Sequence, residues 1–330
     1  MWTEQLRNHR KAALPEISAT WAEVARRPDT WPLPWDKTPQ HPPLLNTCMN
    51  AYCKTTWLRL WRRRNVPRFE GQWACSPECM QVLVEQAVER ELGDGTPLEP
   101  KKHKHRIPLG LLLLSQGCIT QEQLRKALDS QREAGGKARI GAWLMRQANL
   151  SEEQITRALS MQWGCPVLAL TDHRPETAST LIPRILLDTY GMVPLRQGSR
   201  RVAYLAFEDR MDSTVAFAVE RMSGMHVEAG VMKASQFLRE QERLMAAPFP
   251  KADLMEAKTS TLVAKEVAAV IERVRPHQAK LVRMHRYFWL RLWRSPVPAP
   301  AVSASRASSL NLIPRIHQVE DVLIRLQSED

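Results

Sequence analysis

Between residues 108 and 162 one order of apolar and polar positions, 24 residues long, is written twice with a shift of 31 residues. The first copy sets Leu109, Gly110, Gly117, Ile119, Leu124, Leu128 and Gln131 in the places that Ile140, Gly141, Ala148, Leu150, Ile155, Leu159 and Gln162 take in the second. The apolar spacing after residues 120 and 151 is helical. Thr120-Gln-Glu-Gln123 and Ser151-Glu-Glu-Gln154 both have the form of a capping box, which starts a helix. Each copy therefore predicts a short helix, a turn and a capped second helix, stacked on its twin.

Downstream the period changes. Residues 175–245 read as helix, strand (201–207), helix (212–222), strand (225–232), helix (235–245), a small α/β subdomain spanning 171–247. Asp209 and Asp212 flank a loop there and read as caps for the next helix. An amphipathic helix is expected over 255–275, with Thr259 and Ser260 at its start and Pro276 past its end. Residues 279–293 alternate as a strand, so 255–295 forms a helix-plus-strand unit. A Pro/Ala/Ser linker covers 296–309, and 310–326 spaces its apolar residues like a final amphipathic helix, a docking peptide at the 310–330 end.

Upstream, residues 1–44 show little periodicity beyond a short helix near 16–26. The 45–92 segment holds Cys48-x4-Cys53 and Cys75-x3-Cys79, two pairs across a 21-residue gap. That spacing is zinc-site arithmetic. Alternation over 56–61, a turn over 65–71, a returning strand at 72–74 and a helix over 80–92 give the order of a treble-clef finger, and Cys-Ser-Pro-Glu-Cys resembles its second half. Four thiolates would fill the coordination of a structural Zn²⁺. Two disulfides or free buried thiols are the alternatives; Cys118 and Cys165 read as buried small hydrophobes. The chain is thus an α+β multidomain protein: a treble-clef-like zinc unit, a basic linker (93–107), a helical tandem-repeat subdomain (108–170) and the α/β subdomain.

The net charge of +12 suits an anionic partner. The repeat carries little of it, with seven Lys/Arg against five Asp/Glu, while 54–68 holds six basic residues and 273–294 seven, neither with any acid. Both runs contain Trp-Leu-Arg-Leu-Trp-Arg, at 57–62 and 289–294, read as neighbouring strands or halves of one partner surface. The start lacks the apolar core of a signal peptide, and no run of 18 uncharged apolar residues is present. A cytoplasmic setting is the expectation.

The double motif resembles the MshEN-type N-terminal domain of type II secretion and type IV pilus assembly ATPases. The likeness runs over about residues 106–245 and includes Trp163-Gly-Cys-Pro-Val-Leu and Tyr190-Gly-Met-Val-Pro-Leu195. In that family the tandem motif is a binding site for cyclic di-GMP. The resemblance implies ligand contacts from Leu109, Gly110, Leu124, Leu128, Gln131, Arg139, Ile140, Gly141, Ile155, Leu159 and Gln162. Where the family has Arg in the first copy this chain has Pro108, and Arg106 is the substitute two residues earlier. The chemistry is coherent: glycine permits close backbone approach, Arg139 is a planar cation for phosphate or guanine, and the glutamines donate and accept. The Lys-Lys-His-Lys-His-Arg run at 101–106 reads as a solvated linker or as a cationic arm over the ligand.

Family relatives continue into an ATPase domain. Here Gly135-Gly136-Lys137 is followed by Ala and lacks the first glycine of a phosphate loop, and no nucleophile elbow or H-E-x-x-H occurs. No enzyme is expected. Three functions remain: a cyclic di-GMP receptor serving a secretion or pilus machine, a docking module of such a machine with a silent repeat, and a zinc-finger nucleic-acid binder.

Overall fold

A computed structural model describes residues 48–53, 67–100, 106–136, 139–169, 175–197, 202–295 and 316–327. All lie in one unit that starts at Leu45. The helix expected near 16–26, the first basic-aromatic hexapeptide, the basic arm before Arg106 and the linker over 296–309 fall outside these residues.

A tight hairpin comes first: β1 (Arg68–Phe69) and β2 (Gln72–Trp73) pair antiparallel. Its two loop residues, Glu70 and Gly71, both have positive φ, at 50° and 78°. That is the backbone a two-residue hairpin loop demands. The sequence reads 65–71 as a turn; in its described part Arg68 and Phe69 are strand and Glu70-Gly71 make the turn. Helix α1 (Pro77–Gly93) follows, with Ser76 accepting the Cys79 N–H and Pro77 in the first turn, where no N–H is needed.

Four repeat helices come next: α2 (Leu109–Ser115), α3 (Gln121–Glu133), α4 (Ile140–Ala148) and α5 (Glu152–Trp163). Both capping boxes are formed in full, Thr120 with Gln123 and Ser151 with Gln154. Helices α6 (Pro175–Ala178) and α7 (Arg184–Tyr190) lead into β3 (Met192–Gln197) and β4 (Val202–Phe207). Then come α8 (Ser213–Ser223), β5 (His226–Val231) and α9 (Ala234–Met245). The α/β subdomain therefore has three strands, in the order β3-β4-β5, rather than the expected two. Pro194 inside β3, beside a register shift at Arg196, hides that strand from a period-two reading.

The C-terminal part departs furthest from expectation. β6 (Lys251–Ala257) precedes α10 (Ser260–Val274), so the helix predicted from 255 begins five residues later. The single strand over 279–293 is a hairpin, β7 (Gln278–Met284) and β8 (Tyr287–Trp293), turned at His285 with φ 52°. The helix expected over 310–326 is, in its described part, a short 3-10 turn (Ile316–Gln318) and a strand, β9 (Val319–Leu326). These strands and the cysteine hairpin make one sheet, β2-β1-β7-β8-β9-β6.

Both faces of that sheet are covered. Leu281, Phe288, Leu290, Val322 and Ile324 pack with α1 and α10. Their alternating neighbours Val282, Met284, Trp289 and Leu323 pack against the α/β subdomain. The repeat has its own small core around Leu113, Ala127, Leu144 and Ala158. Polar contacts bolt it to the α/β subdomain: Glu152 accepts from the Ser235 N–H and hydroxyl, each at 2.6 Å, and Glu153 pairs with Lys233.

Burial corrects the reading of the second hexapeptide as a partner surface. Trp289 and Arg291 are 0% and 3% exposed, at the centre of the sheet. The last turn of α1 is pinned in the same way. Glu91, fully buried, accepts from the Arg283 N–H at 3.0 Å and from Arg221 at 2.8 Å.

Candidate functional site

The two motif copies meet at their starts. A Cβ built on Gly141 would lie 3.8 Å from Leu109 Cδ2, so the Leu109-Gly110 and Ile140-Gly141 steps adjoin across the α2–α4 contact. Each glycine is also roofed by its own copy. A Cβ on Gly110 would stand 2.5 Å from Leu124 Cδ1, and one on Gly141 3.3 Å from Ile155 Cγ2. The missing Cβ atoms thus serve helix–helix approach, the close-packing use of glycine. Leu109, Leu124 and Ile155 are buried, while Leu128, Ile140 and Leu159 are partly buried against the same core.

The polar candidates are engaged within the chain. Arg139, the residue before α4, pairs with Glu208 and, at 3.1 Å, with Asp209, yet its side chain remains 53% exposed. Burial pushes the Asp209 carboxyl up despite Arg139 beside it. Arg106 stacks 4.0 Å above the Trp163 ring and donates to the Gln162 carbonyl at 2.7 Å. The Gln162 amide donates back to the Ile107 carbonyl at 2.7 Å. The half-buried Gln131 stands at the end of α3, where its carbonyl accepts the Gly136 N–H at 2.8 Å. Sequence reasoning missed Trp163, Glu208 and Asp209 as partners, because each lies at least 55 residues from the cation it meets and nothing local marks it.

The second cluster is metal-like. The Sγ atoms of Cys48, Cys53, Cys75 and Cys79 all lie within 4.8 Å of one another, and all four residues are free thiols. Sγ of Cys75 is 3.4 Å from that of Cys53 and 3.7 Å from that of Cys79. Four thiolates at Zn–S bonds of about 2.3 Å make a tetrahedron with edges of about 3.8 Å, a little longer than these two spacings. The Cys75 N–H points at Cys48 Sγ at 3.4 Å, and the Asn50 amide at Cys79 Sγ at 3.2 Å. Both donors would neutralise part of a thiolate's charge. Burial and neighbouring thiols push Cys75 up to about 12, so an ion must displace a proton there. Asn50 was not singled out from sequence, although it lies inside the Cys48–Cys53 knuckle. Cys118 is only half-buried, unlike Cys165.

The doubled motif, its two complete capping boxes and the attached three-stranded α/β unit lie in a stretch that resembles part of the type IV pilus assembly ATPases, in keeping with an N-terminal domain of the MshEN type. Over 134 residues, 39% of its length, the chain is 30% identical to the type IV pilus assembly ATPase PilB of Thermus thermophilus. Over 147 residues, 43% of its length, it is 29% identical to PilB of Myxococcus xanthus. It spans 15% and 25% of those two relatives. No family model matches. Among solved structures, MshE with cdg is 25% identical, with 42% of this chain and 99% of that one covered at a TM-score of 0.33. The N-terminal domain of XpsE is 20% identical, with 44% and 97% covered at 0.32. Among the described residues, no helix is long and apolar enough to cross a membrane.

Proposed function

We propose that the chain is a non-catalytic, cytoplasmic receptor for cyclic di-GMP that passes ligand state to a type II secretion or type IV pilus-like machine. The observation that carries this reading is the meeting of the two motif starts, Leu109-Gly110 and Ile140-Gly141, beside the half-exposed Arg139. A ligand with two phosphates and two flat purines suits a doubled motif, and Arg139 offers it a planar cation. The cysteine cluster holds a structural Zn²⁺ in this reading, since four thiolates leave no position open for a reacting water.

A second reading is a docking module with a silent repeat. It is favoured by the internal engagement of Arg106 on Trp163, Gln162 on Ile107 and Arg139 on Glu208 and Asp209. The nucleic-acid reading is weakened at its second basic-aromatic segment, where Trp289 and Arg291 are buried.

Calorimetric titration with cyclic di-GMP, with GTP and ATP as controls at near-physiological salt, separates the two. Selective binding at micromolar or tighter affinity supports the receptor. Arg139→Ala and Gln131→Ala should then each weaken it by about 1–3 kcal/mol. No heat and no shift in melting temperature would hand the repeat to the docking reading.

A further inference from the structure

Among the described residues, the six-stranded sheet ends in two unlike edges. One is β2, two residues long. The other is β6, seven residues paired along their whole length to β9 on one side and, among the described residues, to no strand on the other. A long open edge offers a row of unpaired N–H and C=O groups, and natural proteins guard such edges with charges, prolines or bulges. β6 contains no proline and an unbroken register with β9. Its charges are paired within its own sheet. Lys251 binds Asp253 at 2.8 Å and Glu320 at 3.2 Å. Glu256 accepts from Gln327 at 2.8 Å and faces Arg325 at 3.5 Å. Between them Leu254 stands 49% exposed.

We propose that this edge is a self-association surface, and that two copies of the chain pair antiparallel through β6 about a twofold axis at Leu254. Residues opposed across an antiparallel ladder share one hydrogen-bonding type, so a twofold axis here must pass a residue rather than fall between two. Centred on Leu254, the register sets Leu254 against its twin, Asp253 against Met255, Ala252 against Glu256 and Lys251 against Ala257. No like charges face one another, and the exposed leucine is covered. One step towards the N-terminus opposes two Asp253 carboxylates. One step the other way sets Leu254 against Glu256 and centres the contact on Met255, which packs into its own core. The pair would join two sheets into one continuous sheet.

Light scattering and sedimentation of the whole chain, from micromolar to near-millimolar concentration, test this. The wild type should show a concentration-dependent dimer. Leu254→Lys and Leu254→Glu should each be monomeric over the same range with unchanged melting temperature, because the side chain is half outside the fold. Mixing the two variants should restore a dimer, since unlike charges then meet at the axis. A wild type that stays monomeric throughout would overturn the proposal and assign the edge to another segment or another protein. A dimer that survives both substitutions, or variants that fail to combine when mixed, would equally overturn it.

Discussion

Arg291 and Asp321 stand directly opposite each other on β8 and β9 and are joined by two parallel hydrogen bonds of 2.8 Å, both residues buried in the middle of the large sheet. Trp289 adds an N–H to the same carboxylate at 2.7 Å, and the remaining guanidinium nitrogen donates to the Leu181 carbonyl at 2.9 Å. The forked geometry satisfies both charges at once. Arg291→Ala strands Asp321 without its counter-charge, and the expected loss is about 3–5 kcal/mol in a denaturant titration. Replacing both residues with leucine-like side chains should recover most of that loss; if the double variant is no better than the single one, the pair is not what the site depends on.

Asp212 caps α8 through the Thr214 and Val215 N–H groups and also meets His285 at 2.8 Å. Burial alone would raise its carboxyl, but the hydrogen bond and charge of His285, with the two N–H groups, hold it below the usual carboxylate range. A depressed carboxyl contributes stability above its unfolded pKa, about 3.9, and loses it as pH falls through the lower folded value. Asp212→Ala should therefore cost about 1–2 kcal/mol at neutral pH, and the gap to wild type should close below about pH 4. Melting curves across that range decide it: a gap that stays constant in acid would rule out the carboxylate as its source.

The two motif glycines should respond differently to alanine. At Gly110 the new methyl meets Leu124 Cδ1 at 2.5 Å, a clash that requires Leu124 to move. At Gly141 the nearest atom is 3.3 Å away, so a few tenths of an ångström suffice. Gly110→Ala should destabilise by about 1–3 kcal/mol. Gly141→Ala should be near neutral, because alanine's helix preference of about 0.5–1 kcal/mol offsets the crowding. Equal effects in thermal denaturation would contradict this geometry.

Cys75→Ser removes the thiol that lies between Cys53 and Cys79. The expected outcome is loss of one bound zinc per chain by elemental analysis, together with a lower melting temperature for the whole sheet, because β1 is a strand of it. Metal retained at full stoichiometry would remove Cys75 from the ligand set.

The repeat was legible because its signals are local. Thr120 reaches Gln123 and Ser151 reaches Gln154 within a single turn, and the apolar spacing needs no distant partner. β9 was not. Val319-Glu-Asp-Val-Leu-Ile-Arg-Leu is buried on both faces over its first six residues, so no alternation marks it, and its acids are matched by Lys251 and Arg291 on other strands and by Arg294 just past β8. The β7–β8 hairpin merged into one strand because its turn falls at His285-Arg286, with no glycine to announce the positive φ. The cysteine cluster was visible in its spacing, but its dependence on a sheet built from distant residues was not. In the repeat, Arg139 stands out by its place in the motif, while the carboxylates that engage it, Glu208 and Asp209, lie outside the repeat with no local mark.

Phe69 pairs with Ala279, 210 positions later, so the hairpin beside the cysteines borrows its sheet from chain not yet made when its own residues leave the ribosome. At about 5–20 residues per second, that wait is roughly 10–40 s. Throughout it, Cys48, Cys53, Cys75 and Cys79 stand in a fragment whose hydrophobic cover, α10 with strands β7 to β9, does not yet exist. Synthesis thus opens a window in which the four thiols are at their most accessible, to a metal ion or to an oxidant, and arrival of the last strands closes it.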